Sequence, residues 1–413
     1  MKIETLKRSH VKRNIIIGVV AVLIISAVIL NFTRAKYRVT ESIPLVNGTI
    51  NYTLPDLNII GLYIDGMEAT ELDSSKTYTL DTTQSTCTYK DGTEIPDLNI
   101  SYDSETRRLS INPFTTKGTK CTLYFDEYVE SVRDTLLANY PTQLTRSDFS
   151  TTVTNITTGT IYYKDTSKGK TYYFAGNPTD NWIRWAGFYW RIIRINEDGS
   201  LRLIYQGTSN TATGRNTQIG ISDFSRDNLY NNNMYVGYIY QSGQVHGLTT
   251  DSLIKDTLDT WYTNNLSKYS DDLDGNAGFC GDRTPYTNES GTSSGGGTGT
   301  TTTYYGASIR LNTNKVPTFE CENDSDLYTT SGSEDGNGAL IYPIGLITAD
   351  EVAYAGGVYV TSNTSYYLYT GMAYWTLSPR YFNSGNAYVF IVDSYGDLLH
   401  WSVVGTSLGV RPV

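Results

Sequence analysis

The sequence predicts an α+β protein in which an N-terminal transmembrane helix precedes a small all-β domain and a larger mixed domain. Three observations favour this organisation: an apolar run near the N-terminus, alternating strand patterns after it, and a C-terminal part in which strand patterns flank helix patterns. With 413 residues, the chain is long enough for two or three domains beyond that run. The expected segments are residues 1–40, 44–127, 128–150 and 151–413.

The first segment contains an uninterrupted apolar run over residues 15–30. With its flanking residues the run reaches about 19 residues, close to the ~20 that a helix needs to cross a bilayer. More Lys and Arg precede the run than follow it, which places the N-terminus in the cytoplasm. We therefore expect a single-pass bacterial membrane protein, held through residues 14–32, with its C-terminal domains outside the cell. A cleaved signal peptide is the alternative, although no clean small-x-small site follows.

Residues 44–127 read as a small all-β domain. Apolar and polar residues alternate over residues 59–64, 109–111 and 121–125, and turn signals such as Asp91-Gly92 separate the runs. This pattern predicts an immunoglobulin-like sandwich that acts as a stalk.

Residues 128–150 read as a helical connector, because apolar residues recur at helix spacing before Pro141. The larger domain, 151–413, opens with strand patterns, and Asp198-Gly199 is a hairpin turn signal. A helix is expected at about 251–267, and the capping box at 348–351 opens a second. Between these helices, the Gly/Ser/Thr-rich stretch 288–303 is expected to form a long loop.

Four cysteines lie in two well-separated pairs, which suits an oxidising exterior. We expect the bridges Cys87–Cys121 and Cys280–Cys321, because each pair lies within one proposed domain; two other connectivities remain open. The net charge of −10 argues against a nucleic-acid partner. No motif calls for a cofactor.

The composition includes 35 tyrosines. Tyrosine supplies a rigid contact area and a hydroxyl at low entropic cost, so binding surfaces favour it. Tyrosine is also a good strand former, and a Tyr-rich β protein explains the same number. Composition leaves both interpretations open.

The C-terminal sequence predicts a β-hairpin, with strands at 387–393 and 398–404 around a turn at 394–397. Side chains alternate across a strand, so two sets should face opposite ways. The set expected to be buried is Phe390, Val392, Trp401 and Val403. The set expected on the other face is Ile391, Asp393, His400, Ser402 and Val404. This second set is chemically mixed, as a tunable binding surface requires.

Three short motifs in this part of the chain resemble a C-type-lectin-like domain. They are Tyr374-Trp375-Thr376-Leu377-Ser378-Pro379, Gly385-Asn386-Ala387-Tyr388-Val389 and the terminal Gly409-Val410-Arg411-Pro412-Val413. They look most like a bacterial surface family whose domains end in Gly-Val-Arg-Pro. That fold is shared with formylglycine-generating enzymes and with the variable proteins of diversity-generating retroelements. The likeness covers about 151–413 and is strongest over 341–413.

For retroelement variable proteins, the resemblance implies a C-terminal cassette in which selected positions are diversified on a constant frame. An ordinary lectin-like domain is the alternative. The matching ligand-binding positions are Arg380, Tyr381, Asn383, Ile391, Asp393, Tyr395, Asp397, Leu399, His400, Ser402, Val404, Gly405 and Leu408.

Catalysis and metal binding have weaker support in the sequence. A formylglycine-generating oxidase needs a pair of active-site cysteines toward the end of the domain, and no cysteine follows Cys321. No nucleophile–base pair can be assembled from the three histidines. The acidic turn 271–276 offers oxygens to calcium but lacks a closing glutamate, so a solvated loop is the favoured interpretation.

The sequence therefore predicts a non-catalytic surface receptor or adhesin that binds an external protein or glycan through its C-terminal hairpin. A structural envelope protein whose head mediates assembly is the alternative, and an enzyme lacking its cysteines is a third.

Overall fold

A computed structural model describes residues 57–113, 118–128, 131–286, 295–332, 336–399 and 403–413. The chain divides into two compact units, the first ending at Glu130 and the second spanning Ser131–Val413. The predicted membrane anchor at 14–32 lies outside the described residues. Within the described ranges, no helix is long and apolar enough to span a bilayer.

The described part of the first unit consists of β-strands. Their bounds are β1 Leu57–Ile64, β2 Met67–Glu68, β3 Thr77–Leu80, β4 Thr86–Tyr89, β5 Asn99–Asp103, β6 Arg108–Asn112 and β7 Thr119–Tyr128. The central strand β7 pairs in parallel with β1 and antiparallel with β3 and β4, while β5 and β6 form a separate hairpin. On β7, Cys121, Leu123 and Phe125 alternate with more exposed residues and point into the core, as the sequence pattern predicts.

The second unit has four α-helices among its described residues. They are α1 Val132–Ala138, α2 Leu253–Asn265, α3 Gly306–Ser308 and α4 Ala349–Ala355, with a π-helix at Ile309–Asn314 directly after α3. Shorter 3-10 turns lie at Gly214–Thr217, Arg226–Asn228, Asn233–Val236, Ser267–Asp272 and Asp324–Asp326. Helix α1, which the sequence analysis assigns to a connector, packs Leu136 and Leu137 into the core of this unit.

The strands of the second unit are mostly short. Their bounds are β8 Thr142–Leu144, β9 Thr160–Thr166, β10 Gly169–Tyr173, β11 Trp182–Trp185, β12 Phe188–Ile195, β13 Leu201–Tyr205, β14 Gly220–Ser222, β15 Ile239–Tyr240, β16 Thr250–Asp251, β17 Phe279–Cys280, β18 Pro285–Tyr286, β19 Thr303–Tyr305, β20 Leu327–Tyr328, β21 Tyr374–Phe382, β22 Ala387–Val392, β23 Leu398–Leu399 and β24 Leu408–Val410. Strands β8–β13 make one sheet, and β14, β18, β19 and β21–β24 make another.

The α+β assignment was wrong, because the protein is mostly β: helices make up 17% of the described residues. The two helices predicted in the larger domain are confirmed. Ser252 caps α2, while Thr348 and Glu351 form the capping box of α4, which ends at Gly356 with φ of +113°. The error arose because these helices are short and the sequence around them forms strands and turns.

Strands β21 and β22 lie between two cores. Phe390 and Val392 face the core that contains α4 and strands β9, β10 and β12. Val389 and Ile391 face the other core, which contains α2 and Trp375. The predicted hairpin is confirmed, since Ile391 pairs with Leu399 and Val392 with Leu398 across the turn. From Val389 to Val392, strand β22 is therefore buried on both faces.

Both predicted disulfides are confirmed. Cys87–Cys121 joins directly opposite residues of β4 and β7. Cys280–Cys321 spans 41 residues, including the Gly/Ser/Thr-rich stretch.

Replacing Cys280 and Cys321 with serine is expected to lower the free energy of unfolding by about 2–4 kcal/mol, because the open chain regains loop entropy. Urea denaturation followed by tryptophan fluorescence measures the loss. Unchanged stability of the double variant would show that the bridge does not constrain the unfolded chain.

Candidate functional site

Four tyrosines form a row across four adjacent strands of the second unit. Tyr286 on β18 lies opposite Tyr304 on β19, Tyr304 lies opposite Tyr381 on β21, and Tyr381 lies opposite Tyr388 on β22. The rings of Tyr304 and Tyr381 are stacked with centroids 5.8 Å apart, and those of Tyr381 and Tyr388 with centroids 4.7 Å apart. We call these four residues the tyrosine row.

On β19, β21 and β22, the tyrosine row faces outward because its neighbours along the strand, apart from Arg380, face inward. Those neighbours are Thr303, Tyr305, Phe382, Ala387 and Val389, and all are buried. Tyr286 is 39% exposed, and the other three members are half-buried. Because side chains alternate across a strand, the tyrosine rings form an aromatic surface on the face opposite these buried residues.

Arg380 lies against the tyrosine row. Its guanidinium carbon is 3.9 Å from the ring centroid of Tyr381 and 5.9 Å from that of Tyr304. A register shift between Pro379 and Tyr381 interrupts the β21–β22 ladder at this residue, and such irregularities re-aim side chains. An arginine over stacked rings is a cation–π arrangement.

One nitrogen of the Arg380 guanidinium has a hydrogen-bond partner and another has none. Its Nη2 donates to the hydroxyl of Tyr359 at 3.5 Å, whereas its buried Nε has no hydrogen-bond partner. Burial raises the pKa of the Tyr381 hydroxyl. The neighbouring Tyr388 raises this pKa further, while Arg380 lowers it. Tyr381 therefore stays neutral and can donate a hydrogen bond at physiological pH.

Asn383 organises the turn at the end of the tyrosine row. Its Oδ1 accepts from the backbone N–H groups of Gly385 and Asn386, and its Nδ2 donates to the Tyr388 hydroxyl at 3.4 Å. Three residues expected from the resemblance, Arg380, Tyr381 and Asn383, are thus brought together, although Arg380 is only 9% exposed and the other two are half-buried.

Other predicted binding residues lie in the core or near it. Ile391 and Val404 are buried in the same hydrophobic core, so the expectation that they face a ligand was wrong. The reason is that a second layer covers the face of β22 that was expected to be open. Leu399 and Leu408 are half-buried and pack against that core, and the backbone of Gly405 lies close to Asn228.

The predicted residues of the hairpin turn have mainly structural contacts. Asp393 Oδ1 accepts from the backbone N–H groups of Tyr395 and Asp397, and both aspartates are buried. Burial raises the pKa of Asp397, with a further contribution from Asp393. Tyr395, by contrast, is 65% exposed. His400 and Ser402, together with Trp401, lie outside the described residues.

Sequence reasoning missed Tyr286, Tyr304 and Tyr388 as site residues. Tyr304 and Tyr381 are far apart in sequence, and the register that joins them cannot be read from either segment alone. Tyr388 shares its face of β22 with the buried residues Phe390 and Val392, so alternation along this strand gave no signal that it is accessible.

The described histidine of the second unit has partners on both ring nitrogens. His246 Nδ1 lies 3.0 Å from Asp326 Oδ2, and its Nε2 lies 3.2 Å from Asn323 Nδ2. Arg283 also binds Asp326, at 2.7 Å. This arrangement is a buried polar network in which the imidazole is engaged on both sides.

A buried ionic cluster lies beside it. Arg310 binds Asp282 at 2.6 Å and Asp350 at 2.9 Å, and burial raises the pKa of Asp282 to about 6. Across the described ranges, no three His, Cys, Asp or Glu side chains are placed to hold a metal ion. Both carboxylates of the cluster pair with the single guanidinium of Arg310.

Comparison with known proteins gives no match: no protein-family model, curated protein or solved structure is significantly similar to this chain. The lectin-like resemblance therefore stays a prediction.

Proposed function

We propose that this protein binds an external ligand, a protein or a glycan, without catalysis, and that the tyrosine row forms the contact surface, with the buried Arg380 packed against Tyr381. The observation that carries the proposal is the stacking of Tyr304, Tyr381 and Tyr388 on the outward face of a sheet whose inward face is core. Rings held this way lose little conformational entropy on binding. Their faces suit apolar ligand surfaces, and their hydroxyls add hydrogen bonds at the edge.

The disulfides support recognition outside the cytoplasm, and the net charge bears on the class of ligand. Both cysteine pairs form disulfides, which persist in oxidising compartments. The net charge of −10 disfavours nucleic acid as the ligand. We also propose that any diversification of the binding surface lies at half-buried Tyr381 and Asn383 and at exposed Tyr395, three positions of the predicted variable set. The buried positions Ile391 and Val404 belong to the constant frame.

Replacing Tyr381 and Tyr388 together with alanine is expected to weaken ligand binding about tenfold or more, since central aromatic contacts carry most of the energy of a typical interface. The ligand is first sought by applying the purified full-length chain to glycan and surface-protein arrays. Affinities of the wild type and the variant are then compared by calorimetry.

Tyr63→Ala provides a matched control. Tyr63 and Tyr124 are also stacked across two strands, with centroids 4.7 Å apart, but belong to the first unit. Equal losses in both variants, or full binding by the Tyr381/Tyr388 variant, would contradict the proposed surface. Binding of the chain to itself alone would favour the structural envelope protein.

A further inference from the structure

A second candidate site is an open cavity of about 620 Å³ on another face of the second unit. This volume falls within the range of small-molecule sites, about 300–1,000 Å³. Trp190 and Phe279 are buried at its lining, and Trp185 and Leu203 form half-buried walls. No residue of the tyrosine row contributes to it.

One end of the cavity is aromatic. The ring centroid of Trp185 is 5.7 Å from that of Trp190 and 5.6 Å from that of Tyr269. Asp272 holds this end in place, because its Oδ2 accepts from Trp185 Nε1 at 2.8 Å. A carboxylate is thereby fixed beside an indole ring.

The lining also carries several hydrogen-bond acceptors. Asp272 and Asp274 are exposed carboxylates that line the cavity, and the side chain of Asp198 interacts with that of Asp274. Asn196, which is only 6% exposed, also lines the cavity, and its buried Oδ1 has no hydrogen-bond partner.

Of the two arginines that line the cavity, Arg202 is paired with a carboxylate and Arg184 is exposed. Arg202 binds Glu351 at 2.5 Å, donates to the carbonyl of Gly278 at 3.2 Å and packs on the ring of Phe279. The guanidinium carbon of Arg184 lies 5.8 Å from the ring centroid of Tyr189 on the paired strand. With Arg202 paired to Glu351, the two carboxylates of Asp272 and Asp274 outnumber the exposed guanidinium of Arg184, so the net charge at the cavity is negative.

We infer that this cavity binds an organic cation, a substituted ammonium group carried on an apolar body. Aromatic faces attract such cations through the ring quadrupole, most strongly for tryptophan. The carboxylates of Asp272 and Asp274 supply the complementary charge, and the apolar walls receive the body of the ligand. The unpaired amide oxygen of Asn196 accepts a hydrogen bond where the ammonium carries a proton.

The test uses a cation and an anion of similar shape, benzyltrimethylammonium and phenylacetate, titrated into the purified full-length chain in the presence of a chelator. Calorimetry and tryptophan fluorescence report binding. We expect the cation to bind at least about tenfold more tightly than the anion, and its affinity to fall as salt rises. Equal affinities, or no binding of the cation at millimolar concentration, would overturn the inference.

Asp272→Asn and Asp271→Asn are a matched pair of variants. Asparagine at 272 keeps an acceptor for Trp185 Nε1 and removes only the charge, while exposed Asp271 does not line the cavity. We expect D272N to weaken binding of the cation about threefold or more and D271N to leave it unchanged.

Thermal melts verify that the two variants fold equally well, so that a difference in affinity reflects the site. Equal affinities of the two variants for the cation would show that the charge of Asp272 does not contribute to binding. A calcium titration without chelator completes the test. If calcium bound in a way that depends on Asp272 and the ammonium probe did not bind, the cavity would be a metal site and the inference of an organic cation would be wrong.

Discussion

Replacing Arg411 with alanine is expected to lower the free energy of unfolding by about 3–5 kcal/mol, because several buried acceptors lose a charged donor at once. The side chain of Arg411 is fully buried. Its Nε and Nη2 donate to the carbonyl of Tyr205 at 3.1 and 3.0 Å, and Nη2 also donates to Gln206 Oε1 at 2.5 Å. Nη1 donates to the carbonyl of Leu368 at 3.3 Å.

Arg411→Lys is expected to restore little of this loss. Burial lowers the pKa of Arg411, and a single ammonium cannot reproduce a planar fork that reaches acceptors on two chain segments. Arg215→Ala serves as the control, because Arg215 is exposed in the same unit. Urea unfolding of the three variants compares the losses. Similar stabilities of the Arg411→Ala and Arg215→Ala variants would show that the buried guanidinium does not hold the segments together.

Arg411 also illustrates what sequence reasoning can reach. The terminal Gly-Val-Arg-Pro sequence was recognised through a resemblance, and an arginine by itself predicts an exposed residue. Its burial follows from long-range geometry: Pro412 accepts from the backbone N–H of Tyr205, and Val413 exchanges hydrogen bonds with Gly345. These partners lie more than 60 residues away along the chain, so no local sequence pattern predicts them.

Local signals were reliable where their cause is local. The cap at Thr348, the Asp198-Gly199 turn and the hairpin at 394–397 each depend on a few neighbouring residues, and all are present. The face of a strand depends instead on what packs against it. Alternation failed to separate Ile391 from Phe390, because layers cover both sides of β22 at these residues.

The structure also shows which tyrosines each of the two interpretations of the tyrosine content explains. Many tyrosines are core residues: Tyr238, Tyr305 and Tyr328 are almost fully buried, and burial raises the pKa of each. For these residues, the Tyr-rich β protein is a sufficient explanation. The tyrosine row differs because its rings are stacked on the outward face, and that geometry is what composition cannot show.

Replacing Trp375 with alanine is expected to destabilise the protein by about 3–5 kcal/mol, the usual cost of removing a buried tryptophan ring. Trp375 is fully buried, packs edge-to-face on Phe224 and donates from Nε1 to the carbonyl of Ser222 at 2.8 Å. Trp375→Phe separates the two contributions: it keeps most of the apolar area and should lose only about 1–3 kcal/mol, from a smaller ring and the unpaired carbonyl.

Because Trp375 lies on β21 six residues before Tyr381, the same variants test whether the core and the tyrosine row are separable. Trp375→Phe should keep ligand affinity while lowering stability, whereas the Tyr381/Tyr388 double variant should lose affinity with a smaller loss of stability, since a cross-strand pair contributes only about 0.2–1 kcal/mol. Chemical denaturation and calorimetry on the same preparations measure both quantities. If both variants lost affinity in proportion to stability, the tyrosine row would be part of the framework rather than the contact surface.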